Sequence, residues 1–287
     1  MFSKTNFLFE GNGTIDNNKS TMLDVEPNSS LMENKQGYQH GACIMVDRCS
    51  YFKIKNVKVK DGLVYGIGVF YKNLHFEIDG IQADGIHDKS VIFYGFGSDI
   101  NEYWEIKNCD IRNSPYEDGI ACYTQSRYGL IENNTIDNCS RFGILLNPTV
   151  SYVIVKDNKV TDCGQGLYVG NGTITFEGVN EIQGYGYYKR TPSTKRASVL
   201  IFECKNGNMN GLKISQVTKT APLITLTNSN GWTLDNMLLQ STDVEALKMT
   251  STTPMTLMLK NSTLRENATN YSLDANSTLI KENVIEE

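Results

Sequence analysis

The sequence predicts an all-β chain, a right-handed parallel β-helix (a solenoid of about ten coils) forming a single elongated domain over residues 1–287. Three observations carry this: a motif at fixed spacing, strand-type alternation within each repeat, and many glycines against few prolines. The motif is an apolar residue, any residue, Asn, Gly or Asp, two variable residues, and then usually Ile, Val or Leu. It reads Ile54-Lys55-Asn56 with Val59, Ile78-Asp79-Gly80 with Ala83, Ile106-Lys107-Asn108 with Ile111, and Ile131-Glu132-Asn133 with Ile136. It continues as Val155-Lys156-Asp157 with Val160, Leu234-Asp235-Asn236 with Leu239, Leu259-Lys260-Asn261 with Leu264, and Ile280-Lys281-Glu282 with Ile285. Anchors at 56, 80, 108, 133 and 157 lie 24, 28, 25 and 24 residues apart, a spacing that marks a solenoid.

Each unit has room for two or three short strands and polar turns, and no helical period competes with the alternation. Parallel crossovers are overwhelmingly right-handed, which sets the expected hand. The 24 glycines against 6 prolines suit tight turns between strands that need their N–H groups for pairing. With 40% hydrophobic residues the chain can bury a sizeable core, and its net charge of −5 argues against a nucleic-acid surface. No apolar run approaches the roughly 20 residues of a membrane span, so membrane insertion is not expected.

From the start, Met1-Phe2-Ser3-Lys4 opens into polar sequence without a secretion signal, and Phe9 to Asp16 already reads as a coil. The tail, Leu279 to Ile285, stops inside another. Open ends expose strand edges, so a fragment of a longer chain, or ends covered by a partner, is expected. A Gly followed by an apolar residue stands 14 positions before several anchors: Gly66, Gly119 and Gly143. Gly85 and Gly166 share the local pattern, and Gly41 sits 15 before Asn56. The residues just ahead predict a column of His40, Tyr65, Asp84, Asp118, Phe142 and Gln165.

Adjacent strands lie about 4.8 Å apart, which would stack Asp84 directly on Asp118 and raise one pKa, as a general acid beside an ionised carboxylate requires. Asp-Gly is equally a turn dipeptide, so a structural ladder competes with the catalytic reading. Glu117 and Arg141 occupy equivalent places in successive coils and are expected to pair. His87, three after Asp84, is expected to point outward, as a site residue or an ordinary surface histidine. The coil containing Asp84 is lengthened, and residues 88–103 read as a loop excursion; the aromatic stretch through Tyr94 could wall a groove or pack over the coil.

The seven cysteines show no metal-like pairing; Cys139 and Cys163, each six residues past an anchor, are expected to stack buried and reduced in adjacent coils. A second excursion, 183–198, gathers Tyr187, Tyr188, Lys189, Arg190, Lys195 and Arg196 in an otherwise acidic chain. It reads as a clamp for an anionic polysaccharide or as a solvated loop. The Ser, Thr and Asn-rich segment from Ser241 onward offers no chemical constellation.

The strings Gly11 to Asp16, Ala83-Asp84-Gly85-Ile86, Glu117-Asp118-Gly119-Ile120 and Phe142-Gly143-Ile144 resemble the pectate-lyase-like β-helix superfamily, especially polygalacturonase-type glycoside hydrolases and phage tail-spike proteins. In that resemblance Asp84 matches the acid of the first motif, and Glu117-Asp118 matches the carboxylate pair. Phe142 stands where a histidine belongs and no Arg-x-Lys follows, so polygalacturonate specificity is not implied. The resemblance implies a polysaccharide partner, an extracellular or virion-tail location, and the possibility of a homotrimer.

Three functions stay open. In a glycoside hydrolase of the tail-spike depolymerase kind, Asp118 or Glu117 serves as general acid and Asp84 as base or nucleophile. A carboxyl separation of about 5 Å would mean retention, and one of roughly 6.5–9.5 Å inversion. In a polysaccharide lyase, Asp84, Glu117 and Asp118 hold Ca²⁺ and Arg141 takes the proton; the other readings need no cofactor. In a non-catalytic receptor-binding shaft, Tyr65, Phe142, Tyr94 and the basic loop bind glycan, and the acids only turn the chain.

Overall fold

The computed structural model describes residues 3–16, 42–95, 97–123, 125–218, 221–241 and 244–287. His40 and Gly41, at the head of the expected column, lie outside them. The described residues are all strand, turn and coil. Two parallel sheets of eleven strands and one of ten are joined in a repeating cycle. The first sheet includes Ser50–Lys55, Leu74–Asp79, Asn101–Lys107, Ser126–Glu132 and Ser151–Lys156. The second includes Lys58–Lys60, Gln82–Asp84, Asp110–Ser114, Thr135–Cys139 and Lys159–Cys163. The third includes Tyr65–Phe70, Lys89–Tyr94, Ile120–Cys122, Phe142–Leu146, Gln165–Gly170 and Val199–Phe202.

The motif residues explain this winding. The apolar residue before each anchor points inward and stacks on its counterpart: Ile54, Ile78, Ile106, Ile131 and Val155 form one column. The apolar residue after the anchor does the same in the second sheet, from Val59 through Ala83, Ile111 and Ile136 to Val160. Between them the anchor turns the chain in the left-handed region, which Asn and Gly tolerate best. Asn56, Gly80, Asn108, Asn133, Asp157, Asn236 and Asn261 all have φ between 46° and 65°.

At the last coil the anchor is Asn283 (φ 52°), whose amide donates to Asn261 Oδ1 at 3.1 Å, and not Glu282 as the motif suggested. Lys281 and Glu282 pair with Leu259 and Lys260, which places the turn one residue later. Two coils without a legible motif lie between 157 and 236 and turn at Gly178 (φ 66°) and Gly211 (φ 76°).

The first excursion is mostly not a loop. Lys89–Tyr94 forms a third-sheet strand with Val91 and Phe93 in the core; the lengthening falls between Tyr94 and Asn101. The second excursion is an antiparallel hairpin, Tyr187–Tyr188 with Thr191–Lys195. Cys139 and Cys163 stack at equivalent second-sheet positions, fully buried and unbridged.

Candidate functional site

A small column sets the geometry of the corner between the second and third sheets. Gly66, Gly119, Gly143 and Gly166 face inward over Val59, Ile136, Val160 and Ile182; a Cβ on Gly119 would lie 2.6 Å from Ile136 and 2.7 Å from the Gly143 carbonyl. In the coil containing Asp84 the residue in this place is Ser90, whose hydroxyl meets Ser114 Oγ at 2.9 Å. Gly85 instead takes φ 67° in the preceding turn.

Asp84 is therefore displaced from the expected column. It ends a second-sheet strand, exposed and in register with Lys60 and Arg112, and its Oδ1 accepts from Asn113 Nδ2 at 2.7 Å. The neighbour of Asp118 one coil earlier is Lys89, which pairs with Tyr65 before it. The rest of the column holds: Tyr65, Lys89, Asp118, Phe142 and Gln165 follow one another on the outer face of the third sheet. The position just ahead of each supplies Asp88, Glu117 and Arg141, so the Glu117–Arg141 pair expected from spacing is present.

Two cations and three carboxylates meet here. Arg141 donates from Nε to Asp118 Oδ1 at 2.8 Å, and from Nη2 to Asp118 Oδ2 at 2.7 Å, Glu117 Oε2 at 2.8 Å and the Tyr123 hydroxyl at 2.8 Å. The Phe142 amide donates to Asp118 Oδ1 at 3.2 Å. Lys89 Nζ bonds Asp88 Oδ2 at 2.9 Å, bonds Glu117 Oε2, and lies 5.7 and 5.6 Å from the ring centres of Tyr65 and Tyr123. Asp88, Lys89, Glu117 and Asp118 are all buried.

Burial raises the Glu117 carboxyl above its ordinary value; Lys89 and Arg141 oppose the shift and Asp88 adds to it. The charge count favours that direction, because three buried carboxylates face two cations, and one proton makes the cluster neutral. Asp88 Oδ1 has no donor among the described residues unless Glu117 carries that proton. Burial opposes the charges of Lys89 and Arg141, but the surrounding acids and Tyr123 outweigh it and hold both firmly cationic. Burial also pushes the Tyr123 hydroxyl up to about 12.

Aromatic rings wall the cluster. Phe142 packs against Tyr188 of the hairpin at 5.3 Å and Tyr168 at 5.5 Å; Arg196 lies over Tyr188 at 4.5 Å, and Tyr94 tilts against Tyr123 at 6.3 Å. The other hairpin cations differ in role. Lys189 bonds Asn138 Oδ1 at 2.7 Å and Asp162 at 2.9 Å, and Arg190 lies over Tyr116, so both fasten the hairpin to earlier coils. Lys195 is exposed. His87, placed by sequence near the acids, lies in the connection after Asp84 and stacks on Tyr116 at 4.8 Å.

The expected Ca²⁺ trio does not converge, since Asp84 is on another sheet and Glu117 and Asp118 are occupied by cations. Among the described residues no three His, Cys, Asp or Glu side chains cluster as a metal site. Sequence reasoning missed Asp88, Lys89 and Tyr123. The signal was the coil of 28 residues: Tyr65, Asp118 and Phe142 each stand 15 before an anchor, and Lys89 stands 19 before Asn108, offset by the four added residues.

Three coiled parallel sheets, one carrying a buried cluster of ion pairs on its outer face, define the class, a parallel β-helix. The chain belongs to the right-handed β-helix family, whose description, a right-handed β-helix region, matches residues 42–188. Its fold is similar to the periplasmic alginate epimerase AlgG, with TM-score 0.53, 11% identity, and coverage of 96% of this chain and 55% of that one. It is also similar to tailspike protein 2 of Escherichia coli O157:H7 bacteriophage CAB120, with TM-score 0.60, 8% identity, and coverage of 83% and 37%. DFA-IIIase from Arthrobacter chlorophenolicus A6, in complex with GF2, gives 0.58, 11%, and coverage of 98% and 79%. The chain thus spans about half of the epimerase and little more than a third of the tailspike. No curated protein matches it in sequence.

Proposed function

We propose that this chain acts on a polysaccharide as a glycoside hydrolase, with Glu117 as general acid and Asp88 as its carboxylate partner. The observation that carries the reading is the raised carboxyl of Glu117 beside Asp88, within a ring-walled cluster on the outer sheet face. Tyr188, half-buried, is the ring of this wall that can meet a sugar face; Phe142 and Tyr65, expected from the sequence to bind glycan, are buried and pack beneath it and beside Lys89. Asp118 grips Arg141 in a fork and so positions the guanidinium beside Glu117. Arg141 has no proton-accepting capacity, and the lyase reading with Arg141 as base is not carried forward. The polysaccharide-linked enzyme and the tailspike among the structural relatives make an extracellular or virion-borne role part of the same reading.

The burial and near-neutrality of the cluster favour one rival, a binding shaft in which these ion pairs only hold the coil. The two separate on the release of reducing ends from a panel of bacterial surface polysaccharides. Glu117→Gln and Asp88→Asn are each expected to lower release a hundredfold or more, with unchanged circular dichroism. Near-parent activity in both variants sinks the proposal. Glycan binding by the parent without any release selects the shaft, and an ultraviolet-absorbing product selects a lyase.

A further inference from the structure

The outer face of the third sheet changes character at the hairpin. Ahead of it one outward column runs through Ile92, Ala121, Leu145 and Tyr168, and the apolar side chains bury one another. Beyond it the same column continues as Leu200, Thr225, Lys248 and Ser272. The parallel column through Gln165 continues as Ala197, Pro222, Glu245 and Thr269. All of these positions except Leu200 and Ser272 line an open groove with Lys195 at its hairpin end and Thr250 on its side. Thr250 Oγ1 meets Thr227 Oγ1 at 3.2 Å, so the hydroxyl row continues across the sheet.

Charge gives the groove its sign. Lys195 and Lys248 have no carboxylate partner among the described residues, whereas Lys55, Lys107 and Lys156 on the first sheet are each paired with acids. Among the described residues Glu245 is the single acid in the lining, against the two lysines. A floor of small apolar residues edged by hydroxyls and two unneutralised ammonium groups suits a polyhydroxylated ligand bearing carboxylates.

We infer that this groove binds an acidic polysaccharide, lying along the solenoid axis from the hairpin toward the last coils. Resting on the reading above, it would hold the stretch of chain adjoining the site, since Ala197 lies three rungs past Asp118, roughly 14 Å at 4.8 Å per strand. The ligand's negative charge distinguishes this surface from the apolar face before the hairpin.

The test is affinity electrophoresis of the full chain in gels containing alginate, hyaluronate or pectate, with neutral dextran as control. At least one acidic polymer is expected to retard the protein, less so as salt rises. The double variant Lys195→Ser/Lys248→Ser should weaken that retardation at least tenfold, and Glu245→Gln should strengthen it. Lys58→Ser/Lys159→Ser removes equal charge from exposed second-sheet positions outside the groove and should stay within about twofold of the parent. The inference is overturned by parent-like retardation of the Lys195/Lys248 variant, by equal retardation in dextran, or by no retardation in any acidic gel. Glu117→Gln run alongside should bind as the parent does. Loss of activity in Glu117→Gln with an unaffected Lys195/Lys248 variant removes the groove and leaves the hydrolase reading standing; the converse pattern does the opposite.

Discussion

Asp118 and Glu117 are neighbours in sequence with different tasks. Asp118 is fully buried, and its carboxylate accepts from both sides of the Arg141 fork and from the Phe142 amide, so it is engaged by the fold. Removing one partner of a buried ion pair strands the other charge. Asp118→Ala is therefore expected to cost about 3–5 kcal/mol in urea denaturation. A loss under 1 kcal/mol would mean that Arg141 finds Glu117 alone sufficient. Glu117 keeps slightly more exposure and carries the raised carboxyl, which is why the acid role is given to it. A run of left-handed aromatic residues is the other feature at this scale. Tyr51, His75, Tyr103, Tyr128 and Tyr152 have φ between 53° and 58°, a region costly for bulky side chains. Successive rings stack at 4.7 to 5.2 Å, which offsets part of that cost.

Among the elements, the first sheet shows how ladders in register suit opposite charges. Lys55, Asp79, Lys107, Glu132 and Lys156 occupy one outward column and alternate in sign. Glu77, in the adjoining column, is contacted by Lys53, Lys55 and Lys107. Burial works against its charge, yet the three lysines outweigh it and hold its carboxyl down at about 2. A carboxyl depressed in the folded state stabilises fully above its unfolded value and loses that contribution as pH falls toward the folded one. Glu77 should thus contribute up to about 3 kcal/mol at neutral pH, lost between its ordinary value near 4.5 and about 2. Glu77→Gln is expected to lower the neutral-pH stability and flatten acid unfolding in that window. Equal slopes for parent and variant would show that the lysines serve other acids instead. The hairpin depends on a similar division of labour, with Lys189 and Arg190 fastening it and Tyr188 reaching Phe142.

For the whole molecule, the core is one continuous stack from Ile44 to Leu264, and each coil touches mainly its two neighbours. Buried amides seal the turns: Asn134 and Asn158 each accept from the backbone N–H of the coil before, Cys109 N and Asn134 N, at 3.0 Å. Six of the seven thiols sit in this interior, and burial pushes Cys109 up to about 12. Native labelling with a small thiol reagent is expected to modify half-buried Cys43 first and to leave Cys139 and Cys163 unmodified until the chain unfolds. Fast modification of either stacked cysteine would contradict the register.

The sequence by itself determined the winding, because each coil repeats the same local requirements: an inward Ile or Val, a residue able to turn left-handed, another inward residue. It also determined that Glu117 and Arg141 meet and that Cys139 covers Cys163, since both follow from counting within coils of regular length. Only the tertiary structure decided the rest. Gly85-Ile86 resembles Gly119-Ile120 in letters, yet one glycine makes a turn and the other packs beneath a strand, and the four residues added before Asn101 hid the difference. Asp84 therefore faces Lys60 and Arg112 while Lys89 takes its place. Tyr188 reaches Phe142 across 46 residues of sequence because a hairpin with no counterpart in other coils folds back on them. A repeat encodes what it repeats; insertions and excursions are placed by packing against coils distant in sequence, and the candidate site was assembled there.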